Sequence, residues 1–182
     1  MTEPLIFITS NKGKAEEAKS ILEFPIEVYD LELDEIQSLS LEKIAIKKAE
    51  YAFKLVQKPL IVDDVGVFVH AWKGFPGPFI KYLQQIGLDV CLKMLSTETN
   101  REATVKAVIG YHDGTLIHTF VGEVKGTISH EVKGPNGWGW DPIFIPEGQN
   151  KTYAEMSTEE KNSISHRRKV LDELKKYLAV ST

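Results

Sequence analysis

Along the first part of the chain, short unbroken apolar runs alternate with stripes of apolar residues three and four positions apart, the pattern of buried strands followed by amphipathic helices. The first run, residues 5–9, is Leu5, Ile6, Phe7, Ile8 and Thr9; after the polar turn Ser10-Asn11-Lys12-Gly13-Lys14, the spacing of Ala15, Ala18, Ile21 and Leu22 predicts a helix. A strand is expected over 26–31 and a helix over 40–56, whose stripe of Leu41, Ile44, Ala45, Ala49, Ala52 and Phe53 contains one lysine, Lys48. Lys58-Pro59 breaks that helix, and Leu60-Ile61-Val62 reads as a further buried strand ending at Asp63-Asp64-Val65-Gly66. Residues 67–69 continue in extended form, the glycines and prolines of 73–78 predict a loop, and helical segments follow at 79–85 and 88–95.

Residues 103–112 and 115–123 alternate with the period of two that marks strands, with Asp113-Gly114 between them as a hairpin turn, and the alternation can run on through 124–128. A short strand at 143–145 precedes Ser157 and Glu160, which are spaced as a capping box and start a helix carrying Lys161. A last helix from about residue 165 presents Val170, Leu171, Leu174 and Leu178 to the core. Strands alternating with helices, then an antiparallel hairpin, predict one α/β domain over 1–182 with a mixed sheet.

The formal charge of −4 and pI near 5.8 argue against a general nucleic-acid binder, which needs a basic surface to displace counterions from phosphates. No signal peptide or membrane-length apolar run is visible, so the expectation is a cytoplasmic protein with no membrane partner. The single cysteine, Cys91, lies in an apolar run and reads as a buried structural thiol. His112, His118 and His130 lack metal-site spacing and are expected at the surface.

Four stretches carry candidate chemistry. The turn after the first strand aims a helix N-terminus, with hydroxyl, amide and lysine donors, at whatever occupies it; it lacks Walker spacing and equally fits a capped helix start with solvated lysines. Asp63 and Asp64, at the end of an apolar run, raise one another's pKa or recruit a cation, and oxygen ligands there suit Mg²⁺ or Mn²⁺; turn acids or helix caps are the plainer alternative. The glycine-rich loop Gly134-Pro135-Asn136-Gly137-Trp138-Gly139-Trp140-Asp141-Pro142 places two indoles beside free backbone groups, which suits stacking on a planar base, or plugs the core from a corner. Lys161, His166 and Arg167 supply cations and donors for anions and carbonyl edges, His166 and Arg167 in a helix's first turn where the dipole disfavours positive charge. Taken alone, these basic residues also fit a solvated helix start.

Read in order, Phe7-Ile8-Thr9-Ser10-Asn11-Lys12-Gly13-Lys14, Val62-Asp63-Asp64, Gly77-Pro78-Phe79-Ile80-Lys81, Gly139-Trp140-Asp141-Pro142, Tyr153-Ala154-Glu155-Met156 and Lys161-Asn162-Ser163-Ile164-Ser165-His166-Arg167 span nearly the whole chain. Together they resemble the inosine triphosphate pyrophosphatases, also known as XTP/dITP pyrophosphatases. The resemblance implies an elongated α/β fold, a mixed sheet with flanking helices whose two lobes enclose a nucleotide-binding cleft, usually in a homodimer. It implies hydrolysis of inosine, deoxyinosine and xanthosine triphosphates to the monophosphate and pyrophosphate with Mg²⁺, which removes deaminated purines from the nucleotide pool. Carried over by position, Thr9, Ser10, Asn11, Lys12, Gly13 and Lys14 would hold the triphosphate, with Lys48, Lys81 and Lys161 adding charge. Glu35 and Asp64 would bind metal, and Asp64 would also be the base for the attacking water. Trp138, Gly139, Trp140 and Asp141 would sandwich and bond the base, while His166 and Arg167 read its 6-oxo edge. Val65 stands where the family usually has Ser or Thr, so a hydroxyl contact with substrate is missing there, and the segment around Glu35 matches loosely. A nucleotide sensor without turnover and a phosphatase releasing orthophosphate share the same charges and are the competing readings.

Overall fold

The computed structural model describes residues 4–22 and 24–180. In chain order the regular elements are β1 (Leu5–Ile8), α1 (Lys12–Ile21), β2 (Ile26–Tyr29), α2 (Leu41–Val56), β3 (Leu60–Val69), β4 (Pro76–Gly77), α3 (Ile80–Gln85), α4 (Leu88–Met94), β5 (Glu102–His112), β6 (Ile117–Ile128), β7 (Phe144–Pro146), α5 (Thr158–Ile164) and α6 (His166–Val180). The strands form one mixed sheet in the order β2-β1-β3-β5-β6-β7, with β4 paired to β3. β1 is parallel to both β2 and β3, whereas β3–β4 and β6–β7 are antiparallel. No helix among the described residues is long and apolar enough to cross a membrane.

The extended continuation expected at 67–69 is part of β3, which runs unbroken through the acidic pair to Val69, while the stretch expected as a loop contributes β4, which pairs Val67 with Gly77 and Phe68 with Pro76. Proline at a two-residue strand is tolerated because such a strand needs few ladder donors.

The chain packs as two compact units. The first runs up to Val65 and adds Ala107–Gly122 and the chain from Arg167 onward; the second holds Gly66–Lys106 and Glu123–His166. In the first unit, Leu5, Phe7, Ile61, Ala107 and Ile109 line one sheet face and pack against Ala18 and Ile21 of α1 and Val170, Leu171 and Leu174 of α6. α2 lies on the other face, where Ala45, Ala49 and Ala52 are fully buried. Its backbone comes so close that a Cβ on Gly110 would sit 2.8 Å from the Ala45 carbonyl oxygen, which is why small residues occupy both sides. His112, expected at the surface, is buried because it shares this face and stacks on Phe53 with ring centroids 3.7 Å apart.

In the second unit, Trp140, Phe144 and Tyr153 form a buried aromatic cluster with centroids 5.3 to 6.1 Å apart. Arg101 ties its edges together by donating to the carbonyls of Ile128, Ser129 and Leu95 at 2.8, 2.6 and 2.9 Å. Cys91 is the buried structural thiol its sequence context predicts, held by burial at a raised pKa.

Candidate active site

The turn from β1 into α1 is built locally. Asn11 is the N-cap of α1: its side-chain oxygen accepts from the Lys14 backbone N–H at 3.1 Å, and its own N–H donates to the Thr9 hydroxyl at 3.1 Å. α1 has no acid in its first turn, so nothing on the helix itself neutralises its positive end. Ser10 and Lys12 are exposed, Gly13 half-buried, and Lys14 turns inward, where its ammonium donates to the backbone carbonyl of Asp63 at 2.7 Å and to the Asp63 carboxylate at 3.2 Å. Burial pulls the Lys14 pKa down against the attraction of Asp63.

The two adjacent carboxylates of β3 have separate environments because successive side chains of a strand point to opposite faces. Asp63 shares the face of Ile61, toward α1 and α6. There its second oxygen accepts from Arg167 Nε at 2.7 Å, and Arg167 also makes a short ion pair with Glu17 of α1. Arg167 is 0% exposed and the Asp63 side chain 1%, so this is a fully desolvated network within the first unit. Burial alone would raise the Asp63 pKa, but Arg167 and then Lys14 outweigh it and hold the carboxyl well below the usual range. The mutual repulsion expected of the pair is therefore not what governs it: each acid answers to its own cations.

Asp64 takes the α2 face. Lys48 Nζ, from the apolar stripe of α2, lies 3.0 Å from Asp64 Oδ1 and 2.6 Å from Glu35 Oε1. Asp64 Oδ2 is buried and no donor among the described residues reaches it. Burial, with Glu35 adding, raises the Asp64 pKa against the pull of Lys48 and Lys14. For Lys48 itself, burial works downward, but Asp64 and Glu35 prevail and its pKa is raised.

Among the described residues, Lys14, Lys48 and Arg167 pair with Glu17, Glu35, Asp63 and Asp64. No group of three or more metal-ligating side chains gathers among the described residues. Two carboxylates and a buried oxygen without a donor nevertheless fit an ion such as Mg²⁺, which keeps several waters and completes its shell with substrate phosphates.

The second unit carries the aromatic loop. Asp141 Oδ2 accepts from the Trp138 backbone N–H at 2.9 Å and from Lys161 Nζ at 2.7 Å, both partners of the ion pair being buried. The turn needs glycine at Gly137, where φ is +75° and a Cβ would stand 2.5 Å from that same Asp141 oxygen. The Lys161 ammonium also lies 5.3 Å from the Trp138 ring centroid and 5.6 Å from that of Tyr153. The two indoles part company: Trp140 is 3% exposed, edge-on to Phe144 and 5.4 Å from the His166 ring, whereas Trp138 is half-buried and Gly139 exposed. His166 is buried at the start of α6, and Lys81 is exposed, its ammonium 5.2 Å from the Tyr82 ring.

The structure thus brings residues 9–14, Glu35, Lys48, Asp63, Asp64 and Arg167 into the first unit, and Lys81, residues 138–141, Lys161 and His166 into the second. Val65 faces the apolar cluster between α1 and α6, which explains an aliphatic side chain at that position. Glu17 was not anticipated. The available signal was its place in the sequence Lys14, Glu17, Ile21, a helical face on which a carboxylate must find a buried partner.

An open-sheet α/β protein is thereby defined, with a capped strand-to-helix turn and carboxylate–lysine cluster in one unit and a braced indole loop in the other. The chain belongs to the Ham1 family, whose model matches residues 5–177. It is 48% identical over 178 residues to the dITP/XTP pyrophosphatase of Thermococcus kodakarensis, covering 96% of each chain, and 47% identical over 173 residues to that of Methanopyrus kandleri, covering 92% of each. Among solved structures, the Staphylococcus aureus Ham1 protein superposes with a TM-score of 0.84 at 32% identity, over 97% of this chain and 99% of that one. A HAM1 protein from Coxiella burnetii gives a TM-score of 0.86 at 26% identity over the same shares.

Proposed function

We propose that the protein hydrolyses inosine, deoxyinosine and xanthosine triphosphates to the nucleoside monophosphate and pyrophosphate. The carrying observation is Asp64: one oxygen is held by Lys48 and the other, buried, meets no donor among the described residues. A carboxylate so placed, with its pKa raised by burial, is suited to orient a water and take its proton as that water's oxygen bonds to phosphorus and the bond to the pyrophosphate oxygen breaks.

The cap residues Thr9, Ser10 and Asn11, with Lys12, Gly13 and Lys14, would take phosphate oxygens at the open start of α1, and Lys48 and Lys81 would add charge. Glu35 and Asp64 would hold Mg²⁺ or Mn²⁺, which when bound supplies positive charge against a triphosphate. Trp138 is proposed to offer the stacking face, with Gly139 and Trp140 beside it in the loop, and Asp141 with Lys161 fixes the loop. His166 is proposed to read the 6-oxo edge of the base; a donor aimed there rejects adenine, whose amino group would leave it unmatched. Arg167, through Asp63 and Glu17, is proposed to set the geometry of β3 and the start of α1 within the first unit. By family resemblance the protein is proposed to be a cytoplasmic homodimer.

Product analysis tests the proposal. Inosine, deoxyinosine, xanthosine, guanosine and adenosine triphosphates are each supplied with and without Mg²⁺, and pyrophosphate is separated from orthophosphate. Metal-dependent pyrophosphate from the first three, abolished by Asp64→Asn, is expected. Orthophosphate as product would shift the assignment to a phosphatase, and nucleotide binding without turnover would make the protein a sensor.

A further inference from the structure

Lys48 Nζ is within 3.0 Å of an oxygen of both Glu35 and Asp64, so one ammonium bridges the two carboxylates proposed above to hold a divalent ion. Its side chain is 13% exposed, as is that of Asp64. Two carboxylates converging on one point, Asp64 enclosed and the Glu35 side chain 30% exposed, repel one another unless a cation stands between them, and Lys48 bridges them here. A divalent ion would meet the same requirement at the same oxygens. The two cannot share the place, because like charges at such separation repel strongly in a partly desolvated site.

The construction of α2 lets the lysine move without the helix. The backbone around Lys48 is fixed by Ala45, Ala49 and Ala52, all fully buried against the sheet, while the ammonium rides on a flexible four-carbon stem. An ammonium displaced from between two carboxylates remains charged, and an incoming phosphate is its natural next partner.

We propose that Lys48 is a resident counter-ion: it holds Glu35 and Asp64 together in the metal-free protein, yields the position to the divalent ion, and is thereby released toward the substrate phosphates. The inference rests on the reading that these two carboxylates form the metal site. It makes metal affinity in the absence of nucleotide weak by competition, and it couples metal and nucleotide binding, since the phosphates stabilise the lysine in its displaced position.

Mn²⁺ binding to the nucleotide-free full-length protein, measured by calorimetry and by the electron paramagnetic resonance signal of free Mn²⁺, tests this without reference to turnover. Removing the competing charge with Lys48→Met or Lys48→Gln is expected to tighten Mn²⁺ binding by about tenfold or more, the equivalent of about 1.4 kcal/mol. In the unsubstituted protein, acetylation of the Lys48 amine, quantified by peptide mass spectrometry, is expected to rise several-fold when Mg²⁺ is added and not with K⁺. Unchanged or weaker Mn²⁺ binding in the Lys48 variants, or Lys48 acetylation indifferent to Mg²⁺, overturns the exchange. Glu35→Gln and Asp64→Asn separate this from failure of the metal site itself: if neither weakens Mn²⁺ binding, the site assignment falls and the exchange with it, whereas loss in both with no gain at Lys48 removes only the exchange.

Discussion

Substituting Asp63 by Asn removes one charge from the buried network and almost no volume. Asp63 accepts from Lys14 at 3.2 Å and from Arg167 at 2.7 Å, and Arg167 is inaccessible to solvent, so the guanidinium loses one buried carboxylate while keeping Glu17. Breaking a buried ion pair by removing one partner costs about 3–5 kcal/mol. The amide oxygen of Asn can still accept one bond, which places the expected loss near the lower end, about 3 kcal/mol. For a chain of this length that corresponds to a fall in Tm of about 6–12 °C. Urea unfolding at pH 7 followed by tryptophan fluorescence reads the loss as a lower midpoint at constant slope. The double variant Asp63→Asn/Arg167→Met, which removes the stranded charge as well, is expected to lose less than the sum of the single variants. The pH dependence has a definite sign. Because the folded pKa lies well below that of the unfolded chain, the contribution of Asp63 is complete above about pH 5 and is lost as pH falls below the unfolded value of about 3.9. The gap between parent and variant should therefore narrow on acidification. A loss below about 1 kcal/mol at pH 7, or additive double-variant energies, would refute the assignment of Asp63 as the hub of the network.

Lys161→Met takes the buried Asp141 carboxylate's cation away and with it the charge beside Trp138; about 3 kcal/mol of stability should be lost, and KM for inosine triphosphate should rise more than kcat falls, which steady-state kinetics would show. Gly137→Ala places a Cβ against Asp141 at a positive φ, and is expected to cost about 1–3 kcal/mol in thermal melts and to raise the same KM. Arg101→Lys keeps the charge but not the fork that reaches three carbonyls, and a loss of about 1–3 kcal/mol is expected by urea titration, with kinetics at 25 °C unchanged.

Where local pattern decides structure, the sequence was a sufficient guide. Ser40 caps α2, whose last residue is Val56 as expected; the Ser157–Glu160 box starts α5; and the Asp113-Gly114 turn joins β5 to β6. Where partners come from afar, it was not. Charge inside a buried strand is costly, and what makes Asp63 tolerable within β3 is Arg167, 104 residues away. Likewise Glu17 meets a partner 150 residues distant, beyond the reach of any periodicity. His112 could have been placed from parity: it shares the β5 face of Val108 and Gly110, which α2 covers. The tryptophan loop left stacking and core-plugging open, and the structure divides them, with Trp140 buried and Trp138 half-open.

The adjacency of Asp63 and Asp64 makes β3 a place where a frame error and a point change have opposite consequences. A residue inserted between Leu60 and Asp63 that shifts the strand by one would turn each acid to the other's side, setting Asp63 before Lys48 and Val62 in the place opposite Arg167, so length variation here should destabilise the fold strongly. A change confined to Asp64 leaves the Arg167 clasp untouched. It should therefore yield a well-folded receptor that retains its nucleotide uncleaved, a ready means of capturing deaminated purine nucleotides from a mixed pool.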